Sequence, residues 1–305
     1  MVTKLKQAVL IYNPTAGALR RDLKQIERLT IALREHGILA VAKPTAYAGH
    51  AIQLAEQAVA GGISTVIVCG GDGTINEAAQ ALVGTETALA VWPCGTANVL
   101  AKELSLPKRA SVLAKLIADD SLRIISVGSA VKPGTGWQRY FLLMAGIGMD
   151  AAIVQGVDLE LKKMSGVGAY WLSGLEFLAR LPLKPFSLTV NEQHYESTFT
   201  VISNSARYGG WFRIAPKAKM DDDQLDVCVF NTRSRLAYLS YALMSLTGSH
   251  TRRRNVFYQT TRQMHANSND EALVQLDGDV MGNLPMDFEI VPRALRIYAP
   301  LSDGQ

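Results

Sequence analysis

From Thr65 to Cys69 the chain reads Thr-Val-Ile-Val-Cys, and Gly70-Gly71-Asp72-Gly73-Thr74 follows at once. Four apolar residues in a row, with no polar alternation, fit a strand covered on both faces, as in a parallel sheet flanked by helices. The glycines then allow a tight turn into the helical pattern that contains Ile75 and Leu82. A buried strand, a glycine turn and a helix start form a unit that needs parallel neighbours, so this segment dictates an α/β architecture.

The surrounding sequence supplies those neighbours. Ala8 to Tyr12 and Ile38 to Ala42 read as strands, as does Ala88 to Trp92. Leu23, Ile26, Leu29 and Leu33 recur at helical spacing and predict an amphipathic helix ending near Gly37. Ala51 to Ala60 and Thr74 to Leu82 give two more helices. Beyond Leu122 the texture changes to successive strands: Ile124–Val131, Tyr140–Ala145, Phe186–Val190, Phe199–Ser203, Leu225–Phe230, Val256–Thr261 and Leu273–Leu276. Helical patterns there are few, chiefly Tyr170 to Arg180 and Arg235 to Thr247. The expectation is a Rossmann-like α/β domain over 1–124 and a mainly antiparallel β-sandwich, or an open barrel, over 125–305. The last strand, Leu295 to Ala299, is free to return to the first domain.

Composition narrows the function classes. The 305 residues carry a formal net charge of +4, with no arginine arm or aromatic stacking motif, which argues against nucleic acid as a partner. Cys69, Cys94 and Cys228 are far apart and form no CxxC pair, so neither a disulfide framework nor a structural zinc is expected. Met1 to Gln7 lacks the apolar core of a signal peptide, and no run of 18 apolar residues suggests a transmembrane helix. The expected location is cytoplasmic.

In the Gly70–Thr74 segment, glycines at a strand-to-helix turn let a ligand approach the backbone, and the helix-start amides attract phosphate. Asp72 would repel bare phosphate, so it makes better sense facing a magnesium ion between the two. Thr74 is placed to cap the helix. The bland alternative is a tight turn with structural glycines. No Walker GxxxxGK[ST] loop occurs. Gly146-x-Gly148-x-x-Ala151, after a strand, meets a dinucleotide-binding fingerprint, but Glu160 to Arg180 reads as loop and helix where that fold needs a second parallel strand.

Gly70-Gly71-Asp72-Gly73-Thr74 resembles the signature of the diacylglycerol kinase catalytic-domain family, whose superfamily includes NAD kinases and phosphofructokinases. Asn13-Pro14 with Gly17, Thr45 with Gly49-His50-Ala51, and Pro93 with Gly95-Thr96-Ala97-Asn98 resemble its other nucleotide loops. Gly146 to Ala151 resembles the opening of its second domain. Asn204, Gly209-Gly210, Pro216 and Asp222 then follow in the family's order, as does Asp277-Gly278-Asp279.

The resemblance implies a kinase that uses ATP and Mg2+ on a membrane-lipid hydroxyl, with peripheral contact to the bilayer and a lipid-binding second domain. Asn13, Pro14, Thr15, Ala16, Gly17, Thr45, Gly70, Gly71, Asp72, Gly73, Thr74, Ile75, Asn76 and Thr96 would surround ATP. Thr45 and Thr96 would donate hydroxyl hydrogen bonds, although either threonine alone reads as a cap or turn residue. Asp222, with the carbonyls of Lys219 and Gln224, would hold a structural magnesium; the family shows Asn-Asp-Gly where this chain has Asp221-Asp222-Asp223. Asp277 and Asp279 would form the catalytic acidic pair with Asp72, one polarising and one accepting the substrate proton. The family has glutamate at the Asp279 position, so the carboxylate reaches about 1.5 Å less far. Read alone, Asp277-Gly278 is a hairpin turn.

Two segments present apolar faces to a bilayer: Tyr170, Trp171, Leu172, Leu175, Phe177, Leu178 and Leu181, and Leu236 to Leu246 running toward Arg252-Arg253-Arg254. The bland alternative is that both helices cover the sandwich core. The alternatives in function are an NAD-kinase-like activity on a soluble nucleotide, and a non-catalytic nucleotide- or lipid-binding regulator. Val99 stands where many relatives of that family place an aspartate. Whether the chain works alone or as a homodimer stays open, as does the identity of the lipid.

Overall fold

The computed structural model describes residues 6–149, 151, 183–208 and 212–301. The predicted helix from Tyr170 to Arg180, its apolar residues through Leu181 and the Gly209-Gly210 pair lie outside the described residues. The chain forms two compact units, one of residues 1–127 and 292–305 and the other of residues 128–291.

In the first unit β1 (Lys6–Tyr12), β2 (Ile38–Pro44), β3 (Thr65–Gly70) and β4 (Ala88–Pro93) are parallel, in the order β2-β1-β3-β4. α1 (Lys24–Glu35) and α5 (Ala110–Ala118) pack Leu29, Leu33, Leu113 and Ile117 on one set of strand residues, Leu10, Ile67 and Ala90 among them. The alternate residues Ile11, Val66, Val68 and Val91 are equally buried, because α2 (His50–Ala60) and α3 (Asp72–Leu82) pack on those strands as well. Burial on both faces accounts for the unbroken apolar run of β3. α5 and the short α4 (Val99–Glu103) lie between β4 and β5 (Leu122–Val131), a stretch where the sequence pattern assigned no helix.

The second unit is built from antiparallel strands, and its core lies between two sheets. β6 (Gln138–Phe141) pairs with β5. One sheet has β12 (Val256–Thr261), β11 (Leu225–Phe230), β10 (Phe199–Ser203), β7 (Met144–Gly148), β14 (Leu273–Leu276) and β15 (Asp279–Asn283), in that order. Facing it are β8 (Phe186–Val190), β9 (Gln193–Ser197), β13 (Gln263–Asn267) and the first half of β16 (Met286–Tyr298). Ile147, Ile202, Val227 and Val274 from one sheet meet Leu188, Met264, Met286 and Phe288 from the other in a single buried cluster. The unit is therefore a sandwich and not an open barrel. β10 is buried at every position, and at Phe199 on its outer face the Tyr238 ring of α6 (Arg235–Ser245) lies 6.1 Å away. From Pro292 the chain belongs to the first unit, where Ile297 of β16 pairs with Leu89 in parallel.

Two predicted strands need correction. Tyr140–Ala145 is not one strand but the end of β6 and the start of β7, interrupted at Leu142-Leu143. Leu295–Tyr298 is the end of a strand that begins at Met286, and Ala299 lies beyond it. Gly146 and Gly148 sit inside β7, paired with β10 and, at Gly146, also with β14, so the dinucleotide-like spacing marks a sheet strand and not a phosphate turn.

Candidate functional site

Strand order and direction place the loops after β1, β2, β3 and β4 at one edge of the first unit, the carboxyl edge where α/β sheets take ligands. Backbone hydrogen bonds tie these loops together. Asn13 donates its amide to Cys69 O at 3.0 Å, Cys94 to Gly70 O at 2.9 Å, Ala18 to Cys94 O at 3.0 Å, and Thr45 to Tyr12 O at 2.8 Å. Asn13, Gly17, Thr45, Gly70 to Thr74 and Thr96 thus belong to one cluster.

Each loop has a local reason for its shape. Asn13 Oδ1 accepts from the Thr15 amide at 2.9 Å and from Thr15 Oγ1 at 2.8 Å, folding Asn13-Pro14-Thr15 into an Asx turn. Asn98 adopts φ 47° and closes its own loop, accepting from the Gly95 amide and donating to the Gly95 carbonyl, both at 2.9 Å. Between these loops the backbones touch: a Cβ on Gly95 would stand 2.5 Å from Gly71 Cα. Only glycine fits such an approach.

α3 begins at Asp72 with Gly71 as its N-cap residue. Thr74 is therefore already inside the helix and does not cap it, a correction to the expectation from sequence; its Oγ1 lies 3.5 Å from Asn13 Nδ2 instead. The first bond within α3 is donated by Ile75 to Gly71 O, so the amides of Asp72, Gly73 and Thr74 stand outside the helix's own bonding. Amides at a helix start, beside a glycine loop, are what a phosphate chain requires. Asp72 Oδ1 accepts from the Leu100 amide at 3.2 Å, which links this helix to α4. The side chain of Ile75 is fully buried, leaving only its backbone to the loop, and Asn76 Oδ1 accepts from Gln80 Nε2 at 3.0 Å.

In the second unit, Asp277 and Gly278 form the two-residue turn that joins β14 to β15, with φ of 50° and 95° and Leu276 paired to Asp279. Positive φ at both central residues matches the right-handed twist of the strands. The Asp277 carboxylate accepts from the Leu142 amide at 2.7 Å and from the amides of Leu143 and Met144, both at 2.9 Å. Its own amide donates to Met144 O at 2.9 Å. The side chain is thereby the clamp that holds the β6–β7 break. Asp279, at the start of β15, is exposed. One acid is fixed by the backbone and its neighbour is left open to solvent.

Asp222, also in the second unit, accepts from the Gln224 amide at 3.3 Å. Burial pushes its carboxyl above the ordinary value, against that hydrogen bond, and Asp221 and Asp223 push it the same way. A desolvated carboxylate among like charges suits a hard cation with oxygen ligands. Among the described residues no group of three or more His, Cys, Asp or Glu side chains converges on a metal position, so a cation here would draw on backbone carbonyls such as those of Lys219 and Gln224. Sequence reasoning passed over Asp226, which feels the charge of Asp222. Burial raises Asp226 to about 6, and Tyr258 donates a hydrogen bond to it. No motif marks it, since a single acid within an apolar strand looks like an ordinary surface position.

Comparison with known proteins agrees with this geometry. Residues 7–130 match the diacylglycerol kinase catalytic domain, and residues 144–299 match the YegS C-terminal NAD kinase beta sandwich-like domain. The chain is 28% identical over 304 residues to the diacylglycerol kinase of Bacillus subtilis (strain 168), with 97% of each chain covered. It is 29% identical over 308 residues to the diacylglycerol kinase of Mycobacterium tuberculosis (strain CDC 1551 / Oshkosh), covering 94% of this chain and 99% of that one. A crystal structure of a diacylglycerol kinase from Bacillus anthracis strain Sterne shares the fold, with a TM-score of 0.73 at 23% identity over 98% of both chains. With both domain models matched in order along most of its length, the chain belongs to the diacylglycerol kinase catalytic-domain family of lipid kinases.

Proposed function

We propose that this protein transfers the γ-phosphoryl group of ATP to a hydroxyl of a membrane lipid, at the cytoplasmic face of the bilayer. The observation that carries the reading is the carboxyl-edge cluster of the first unit, in which the loops after β1, β3 and β4 are hydrogen-bonded together around the leading amides of α3. Those amides and the glycine backbone would cradle the phosphates, and Thr45 and Thr96 would add hydroxyl donors. Asn13 to Gly17 would close over the nucleotide.

Phosphoryl transfer needs positioning, charge neutralisation and a proton acceptor. Asp279 is the acceptor in this reading. As the lipid oxygen forms its bond to the γ-phosphorus, the hydroxyl proton passes to the Asp279 carboxylate, and the bond from phosphorus to the β,γ-bridging oxygen breaks to release ADP. Asp277 cannot share that role while its oxygens accept from Leu142, Leu143 and Met144; it shapes the turn that presents Asp279. Asp72 is placed at the phosphate loop, where a carboxylate suits magnesium, and the ion would supply neutralisation of the β- and γ-oxygens. Asp222 with Lys219 and Gln224 would hold a second, structural ion.

The test is transfer of labelled γ-phosphate from Mg-ATP to a panel of hydroxylated lipids in mixed micelles, for wild type and Asp279→Asn. Label in one lipid class that falls at least ~10²-fold in the variant supports both the kinase and the base. ATP binding without transfer to any lipid, with label moving instead to a soluble nucleotide, would replace the reading with a soluble-acceptor kinase.

A further inference from the structure

α6 has two faces of opposite character. Tyr238, Tyr241 and Ser245 are buried against the sandwich, with Tyr241 5.7 Å from the Phe230 ring. On the far side, Leu236, Leu239, Leu243 and Leu246 are 80%, 37%, 65% and 50% exposed. Their spacing of three, four and three residues lines them into one ridge along the helix. A helix with an interior to cover hides its leucines, yet here the tyrosines go inside and the leucines outside.

The segment that carries this ridge has charge of one sign. From Asn231 to Asn269 the sequence holds six arginines, Arg233, Arg235, Arg252, Arg253, Arg254 and Arg262, and no aspartate or glutamate. Arg233 and Arg235 lie at the start of α6. Arg252 to Arg254 follow its end, and all five are exposed. Arg253 also lies back on the helix, its Nε 3.2 Å from Met244 Sδ. The 39-residue stretch therefore carries +6 on a chain whose formal total is only +4.

We propose that the leucine ridge of α6 is the surface by which this protein docks on an anionic bilayer. The inference rests on the lipid-kinase reading for its biological sense, but the ridge and its arginines stand on their own. Leucines at the acyl boundary, flanked by cations at head-group level, are what an interfacial helix presents. A protein partner would leave the exposed arginines at both ends of the ridge without a purpose unless it were acidic. An anionic membrane accounts for the leucines and the arginines together. Tyr238 and Tyr241 fix the inner face of the helix, so the ridge is held outward before any lipid is met.

The test is co-sedimentation with vesicles of phosphatidylcholine alone and of phosphatidylcholine with 30% phosphatidylglycerol, at low and high salt. It compares the full chain with Leu236→Ser/Leu243→Ser and with Arg252→Ala/Arg253→Ala/Arg254→Ala. Thermal unfolding and ATP binding serve as fold controls, since all five positions are exposed. The expected result is binding to the anionic vesicles that falls at least ~10-fold in the leucine variant and becomes less salt-sensitive in the arginine variant. Wild-type-like binding by the leucine variant overturns the proposal, as does a wild type that binds neither vesicle. A ridge that instead joins two copies shows as a loss of dimer mass in the leucine variant with vesicle binding intact, and also overturns it. Because vesicle binding requires no turnover, failure of the lipid-kinase reading in the labelled-transfer assay is recognised separately.

Discussion

A Cβ atom built on Gly95 falls 2.5 Å from the Cα of Gly71, so the loops after β3 and β4 meet backbone to backbone. No side-chain rotation relieves that contact, and a second clash, 2.9 Å from Asn98 Oδ1, lies beside it. Gly95→Ala must push the two loops apart and loosen the Asn98 bracket. Calorimetric titration is expected to show ATP affinity down by at least ~10-fold, with the fold retained. An affinity within about twofold of wild type would show that the close approach has no part in nucleotide binding.

Asp277 and Asp279 are expected to separate into a structural and a chemical role. Asp277→Asn places an amide NH2 against a cluster of backbone donors, losing charge-assisted bonds worth about 3 kcal/mol in total. Its unfolding midpoint is expected to drop by about 5–10 °C, along with activity. Asp279→Asn, at an exposed position, is expected to leave the midpoint unchanged while abolishing transfer. Asp279→Glu adds reach and keeps the carboxylate, so it should retain transfer. Equal destabilisation by the two Asn variants would contradict the division of roles.

Gly128 faces the ring of Phe141 across the β5–β6 pair, and a Cβ there would lie 2.0 Å from Phe141 Cζ. The Phe141 ring is fully buried and has no space to retreat into. Gly128→Ala is expected to cost about 1–3 kcal/mol through overpacking, read by denaturant unfolding. A double variant with Phe141→Leu should recover part of that loss.

His250 is fully buried beneath α6, stacked 5.9 Å from Phe230, with Nε2 3.0 Å from Ile214 O. Burial holds its pKa below the ordinary value, against the opposing effect of the Ile214 carbonyl. A histidine lowered in the folded state binds its proton more readily when unfolded. Its stabilising contribution is complete above the ordinary value of about 6.5 and is lost as the pH falls from there through the lower folded value. Denaturation of wild type and His250→Phe at pH 8 and pH 5 is expected to show a larger acid loss in the wild type. Parallel pH profiles would remove His250 as the cause.

Much of the first unit could be read from local pattern. α1 announces itself through Ile26, Leu29 and Leu33 on one face, and β3 through an apolar run that only two-sided burial explains. The glycine loops were legible because backbones that approach as closely as Gly71 and Gly95 leave no room for side chains, which gives a short and ordered signature. By contrast, β9, β13 and β15 carry polar residues at exposed positions and have no strong run of their own, so they exist only because neighbours pair with them. The break at Leu142-Leu143 is likewise invisible locally, since the group that organises it, the Asp277 carboxylate, lies more than a hundred residues away in sequence.

The chain by itself determined the α/β order of its first part, the glycine loops at the strand ends and the pairing of acids around Gly278, because spacing along one segment carries each of them. Tertiary structure alone decided that Thr74 lies inside α3, that Asp277 is consumed by three backbone amides while Asp279 stays open, and that the leucines of α6 face outward. The first follows from where the glycine turn ends; the other two depend on a distant segment taking one face or one set of hydrogen bonds, and no local pattern records which partner arrives.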